Sequence, residues 1–243
     1  MSYGLTADAA YAGVPGAIVA DAATDERVTF IRRTYAHLAG AIALFIALEY
    51  ALLKSPLAAE IFDAATMSQY SWLAVLGIFM AVGWVADWWA HHSTSPTMQY
   101  AGLILYTVAE VLIFCPLLYF VVDVADQPEI IPMAGVMTLM LFGGLTATVF
   151  LTKKDFSFLR GGLAVATMAA MGVIVAGILW GFHLGLVFSL AMVGLSGAYV
   201  LYYTSNVMKH YRTTQHVAAA LALFSAIALM FWYIIRVLLE LRS

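Results

Sequence analysis

The sequence predicts an all-α integral membrane protein with seven transmembrane helices. Three observations carry that prediction. The chain of 243 residues is 64% hydrophobic and only 10% charged, whereas soluble domains carry roughly 25% charged residues. Its apolar residues gather into long stretches, each near the about 20 residues a helix needs to cross hydrocarbon. The charges and prolines fall almost entirely between those stretches.

Taken in order, the spans are expected at 34–53, 70–90, 99–122, 130–152, 161–182, 184–208 and 216–239. Lys54-Ser55-Pro56 ends the first, and His91 to Pro96 separates the second from the third. Asp123, Asp126, Pro128, Glu129 and Pro132 mark the next turn. Lys153-Lys154-Asp155 through Gly162 divides the fourth from the fifth, and Lys209 to Gln215 precedes the last. The weakest boundary is Trp180-Gly181-Phe182-His183-Leu184-Gly185. Leu163 to Met208 is too long for one crossing, so a tight turn is required there. Residues 1–28 are expected to form a mobile N-terminal tail, Ala/Gly-rich from Met1 to Ala23, ahead of a bundle over 29–243. Four acids precede Arg27 with little apolar length, which argues against a cleavable signal peptide.

Lys and Arg set orientation. Eight of the eleven fall on the side that holds the N-terminal flank, the fourth-to-fifth loop and the sixth-to-seventh loop. The N-terminus is therefore expected in the cytoplasm and the C-terminus outside. Trp72, Trp88, Trp89, Trp180 and Trp232 sit near span ends, where amphipathic rings favour the interface.

Several classes are excluded. No basic block points to nucleic acid. Cys115 is the single cysteine, so no intramolecular disulfide exists. There is no His-Glu-x-x-His, no Gly-x-Ser-x-Gly and no pair of membrane aspartates, so no enzyme is expected. His91 and His92 are neighbours whose side chains point about 100° apart on a helix, so they read as an interfacial turn rather than a metal site. The last span lacks the lysine a retinal protein needs. No cofactor is expected.

One span carries an ionisable residue near its middle, Glu110. A charged side chain at a helix centre costs roughly 2.5–3.5 kcal/mol even on mild scales, and such residues mark ion and proton pathways. Pro116, six residues on, removes a backbone donor and frees a carbonyl near Leu112. An acid beside an interrupted ladder suits a cation or a proton; the structural alternative is a carboxyl bonded to a neighbouring helix. Glu49 and Arg236 lie near outer span ends, where they can snorkel, and Asp87 lies near the inner end of the second span.

Short motifs in a fixed order then resemble the Bax inhibitor-1 family, also called the transmembrane Bax-inhibitor-motif proteins. Phe30-Ile-Arg32-Arg-Thr-Tyr35 resembles that family's opening, and Glu110 with Cys115-Pro116-Leu-Leu its third-helix pattern. Leu151 to Gly162, with Asp155, is close to its fourth-to-fifth loop. Leu201-Tyr202-Tyr203-Thr204-Ser205 resembles its sixth-helix motif, and Tyr233-Ile-Ile-Arg236 its seventh-helix ending. The resemblance implies six helices wrapped around a central C-terminal seventh, and a calcium or cation leak through the bundle, in a bacterial inner membrane. It also implies a pH latch of two aspartates on the sixth and seventh helices. Here those positions hold Tyr203 and Ser225, so the latch is substituted. Glu110 is the expected ion-pathway residue, with Arg32, Asp87, Asp155 and Arg236 in support and calcium as the candidate ion. The alternative is a non-conducting membrane protein that regulates a membrane protease or a stress response; its partners are then the lipid bilayer and that protease.

Overall fold

The computed structural model of the chain describes residues 16–68, 70–92 and 95–242. The described residues form seven long apolar helices and one short one. These are α1 (Thr24–Leu53), α2 (Leu57–Thr66), α3 (Ser71–His92) and α4 (Pro96–Tyr119), then α5 (Ile130–Thr152), α6 (Leu159–Trp180), α7 (Leu186–Lys209) and α8 (His216–Arg242). All seven expected spans are present as helices. All but α2 are long and apolar enough to cross a membrane, as backbone groups in hydrocarbon require. The amphipathic α2 has no counterpart in the expected spans, because ten residues cannot cross.

The arrangement follows from what each helix can hide. The helix α8 is apolar nearly all round, and seventeen of its residues are buried. It packs against α1, α3, α4, α5 and α7. Its first turns are small, with Val217, Ala218, Ala219 and Ala220 each 0% exposed, so neighbouring backbones approach closely. The other helices bury one stripe and expose large apolar side chains on the opposite face, as lipid contact demands. The exception is α6, whose packing partner is α7 rather than α8. It completes the ring of six at a distance from the centre.

Local chemistry sets the turns. Asp25 and Glu26 occupy the first turn of α1, where the helix dipole favours acids. Pro116 does not end α4. The helix runs through it to Tyr119 and gives way to a π-helical turn over Phe120–Val124. The interruption expected at the proline thus appears one turn later, where an extra residue per turn absorbs the mismatch. The turn between α6 and α7 is the tight one the length required. Gly181 takes φ +72°, and a Cβ on Gly177 would meet the Phe182 carbonyl at 3.2 Å. Those glycines serve the turn rather than a packing seam.

The N-terminal segment departs from expectation. Residues 1–15 lie outside the described residues, but from Gly16 the chain is docked. Ile18 forms an antiparallel bridge with Arg212. The Val19 N–H donates to the Tyr211 carbonyl (2.9 Å) and the Thr213 N–H to the Ala17 carbonyl (3.0 Å). Val19 is fully buried, and the Arg27 guanidinium donates to the Val19 and Ala20 carbonyls. An apolar side chain and a strand-like pairing hold a stretch whose composition suggested mobility.

The seam between α3 and α4 is the tightest in the bundle. A Cβ on Gly102 would lie 2.7 Å from the Ala86 carbonyl oxygen, and Ala86 and Ala90 are fully buried opposite it. Gly102→Ala must push the two helices apart, and overpacking of this kind costs about 1–3 kcal/mol. Thermal unfolding in detergent should show a lowered midpoint for Gly102→Ala. Gly135→Ala, whose Cβ would meet nothing within 4 Å, should leave the midpoint unchanged or raise it.

Candidate functional site

The stand-off of α6 leaves a cavity of about 550 Å³ between α3, α4, α6, α7 and α8. Its mouth lies at the face carrying the α6–α7 turn and the end of α8, where His183 and Arg236 line it. Its floor lies deep in the bundle, where Glu110, Tyr106, Tyr203 and Ser225 line it. The walls between are apolar and aromatic. No residue of α8 before Ser225 lines the cavity, and the start of that helix beyond the floor is fully buried.

Helix geometry places the floor residues. Glu110 lies 14 residues into α4, about 21 Å along its axis at 1.5 Å per residue. It is 4% exposed. Tyr106 stands one turn earlier on the same face, and its hydroxyl is in hydrogen-bonding contact with the Glu110 carboxyl and the Ser225 hydroxyl. Ser225 Oγ also donates to the Ala222 carbonyl (2.8 Å). Tyr203 stacks on Tyr199 with ring centroids 5.4 Å apart, and the Tyr199 and Thr167 hydroxyls pair across α6 and α7 at 2.8 Å. No Lys, Arg or His forms an ion pair with Glu110 among the described residues.

A second buried acid stands behind the first. Glu49 on α1 is 4% exposed, and neither carboxyl oxygen has a hydrogen-bond partner. It is close enough to Glu110 for the two charges to interact. The snorkelling expected of Glu49 does not occur: its carboxyl is buried within the bundle, and the short α2 packs against α4 and α1 at that end.

The other expected residues divide. Tyr203, Ser225 and Arg236 line the cavity with Glu110. Arg236 donates to the Leu184 carbonyl (3.3 Å) and lies 3.6 Å from Glu240. Asp87 is exposed on α3 and pairs with His91 at 3.0 Å, near enough for its charge to act on the Tyr203 hydroxyl. Arg32 is exposed near the start of α1 and takes no part in the cavity. Asp155 lies away from the cavity and fastens the α5–α6 loop to the end of α7. It accepts from the Ser157 N–H (2.9 Å), the Ser205 hydroxyl (3.4 Å) and His210 (3.2 Å), with Lys209 at 3.9 Å. Tyr106 is the site residue that sequence reasoning did not single out, and it was discoverable from its spacing of four before Glu110; Glu49 was noted but expected at the interface, not buried. No cluster of three or more metal-ligating side chains exists among the described residues.

Residues 27–243 match the family described as "Inhibitor of apoptosis-promoting Bax1". The chain belongs to the Bax inhibitor-1 family. Among similar proteins, an uncharacterized protein of Pseudomonas aeruginosa is 28% identical over 136 residues, 56% of this chain and 58% of that one. Uncharacterized proteins from two serogroups of Neisseria meningitidis are 26% identical over 147 residues, 58% of this chain and 62% of theirs. The matched region thus spans about three fifths of these curated relatives. No solved structure matches the chain significantly. In this Bax inhibitor-1 family protein, Glu110 of the third span, Tyr203 of the sixth and Ser225 of the seventh line one cavity.

The Asp155 clasp gives a pH test outside the membrane-spanning segments. Partial burial pushes its carboxyl up, but the Ser157 hydrogen bonds and nearby His210 outweigh that and hold it below the ordinary carboxylate range. A depressed folded value means the contribution is full above the ordinary Asp range of about 4 and fades as pH falls through the folded value. Wild type should therefore exceed Asp155→Asn in thermal midpoint at pH 7. The gap should narrow as pH falls below about 4 and vanish only below the depressed folded value.

Proposed function

We propose that this Bax inhibitor-1 family protein is a cation leak pathway of a bacterial inner membrane, with calcium as the candidate ion and no pH latch. The observation that carries the reading is the Glu110 carboxyl on the floor of a membrane-embedded cavity, with hydroxyl neighbours and no cationic partner among the described residues. A carboxylate there is compensated only by a proton or a cation that arrives from the mouth. Glu49, also without a partner, supplies a second negative group behind it.

The charges around the open face support a cation over an anion. Glu60, Asp63, Asp123, Asp126 and Glu129 lie on α2 and in the loop before α5 at that end, against Lys54, Arg236 and Arg242. An acidic rim raises the local concentration of cations. The opposite face holds most of the Lys and Arg, a bias that supports a mouth on the outside and a floor toward the cytoplasm.

Tyr203 and Ser225 make the floor a hydroxyl gate. Tyrosine titrates near 10 in water, so these groups keep their protons between pH 6 and 8. Opening then depends on rearrangement of α7 against α8, not on titration. The closed floor and the missing acid pair also suit the second reading, a non-conducting regulator of a membrane protease.

Calcium flux into liposomes holding the purified protein tests the proposal. Glu110→Gln should lower the rate about tenfold or more, the scale of one charged contact, and Glu49→Gln should lower it less. Wild-type flux equal to that of empty liposomes would leave the regulatory reading. Any change in flux between pH 6 and 8 should come from proton competition at the buried carboxyls: it should persist in Tyr203→Phe and Ser225→Ala and be lost in Glu110→Gln, and a transition abolished by either hydroxyl variant would remove the hydroxyl gate.

A further inference from the structure

The upper part of the cavity has a character that a cation path does not need. Its walls are Trp72, Phe79 and Met80 from α3 facing Met171, Ile174 and Ile178 from α6. The two helices face one another across the gap without the packing that joins α6 to α7 or α3 to α4. The side of the cavity between them is therefore a seam toward the bilayer core. Met80 is 54% exposed and Phe182, beside the mouth, 48%. A gap with apolar walls does not favour water, and acyl chains are the apolar material next to it.

The mouth has the opposite character. Arg236 and His183 stand there together. Arg236 lies 20 residues into α8, about 30 Å from its start, the level where hydrocarbon gives way to headgroups. Of its five N–H donors, one is engaged in a hydrogen bond, to the Leu184 carbonyl. Glu240 forms an ion pair with it at 3.6 Å without a hydrogen bond, which leaves donors for a further partner, and the Arg236 side chain is 39% exposed. A guanidinium with free donors matches a phosphate in charge and geometry.

We infer that the cavity is a binding site for one anionic phospholipid, with a tail in the seam between α3 and α6 and its phosphate on Arg236 and His183. The volume, about 550 Å³, lies within the roughly 300–1,000 Å³ of small-molecule sites. The tail fills the space in front of Glu110, so the lipid limits access to the floor from the mouth. The assignment rests on the walls and the mouth and stands whether or not the protein conducts.

The Trp72 and Trp232 rings, stacked 5.9 Å apart in the wall, report occupancy. With Trp84, Trp88, Trp89 and Trp180 changed to Phe, they are the remaining indoles. Vesicles containing phosphatidylglycerol brominated on its acyl chains should quench them at about one tenth of the lipid fraction that brominated phosphatidylcholine requires, the ratio of one charged hydrogen bond. Arg236→Gln should erase the preference, and Arg236→Lys should keep part of it. Ala228→Phe, which narrows the cavity, should weaken quenching by both lipids. Equal quenching by the two lipids in wild type would overturn the headgroup assignment. Quenching by a brominated fatty acid but by neither phospholipid would overturn the class of ligand. Quenching by none of them would overturn the site.

Discussion

The structure depends on enclosing one helix completely. In lipid no hydrophobic force drives helices together, since tails are as apolar as leucine, so α8 is held by close packing and by the polar groups it meets. Its alanine-rich start lets neighbours approach until nothing remains exposed. Further along, larger side chains and the stand-off of α6 keep the ring from closing. The same helix thus makes a sealed end and a hollow end, and the hydroxyl-and-carboxyl floor lies at the change between them.

That placement explains why the floor can carry polar groups. Glu110 and Ser225 sit where packing from below is tight and the space above is open. A carboxyl within the sealed half would have neither solvent nor partner. A carboxyl on the outer stripe of α4 would face tails. Tyr106 links the two helices through its contacts with Glu110 and Ser225, so the acid also ties the third span to the last. The structural and functional readings of Glu110 are not exclusive: a group that holds two helices through a hydroxyl also keeps an oxygen for an incoming ion. The tyrosines add a lid of rings, since Tyr203 and Tyr199 stack beside the floor and are anchored through Thr167 to the outlying α6.

Much of the fold was legible in the sequence. Length and apolarity decide the number of spans, and the breaks at Lys54-Ser55-Pro56 and Lys153-Lys154-Asp155 are chemical stops that the helices respect. The resemblance supplied the central last helix. What was illegible is tertiary. The packing of α2 against α4 depends on a ten-residue helix folding back. The docking of residues 16–19 depends on a loop nearly two hundred residues away. The cavity depends on α6 choosing α7 as its partner, which no periodicity in its uniformly apolar sequence announces. At the site, Glu110 stood out because charge in a membrane is rare, whereas Tyr106 was one aromatic among many until the structure put its hydroxyl on the acid.

The strand-like clasp between residues 16–19 and the loop ahead of α8 joins segments on either side of six spans. The first of these partners leaves the ribosome before α1 does; the second follows α7. The clasp can close only when all but the last span have been threaded, and its closure fixes the start of the helix that the rest surround. A chain stalled partway through insertion keeps its leading segment loose, which makes this small pairing a mark of completed assembly rather than an early step toward it.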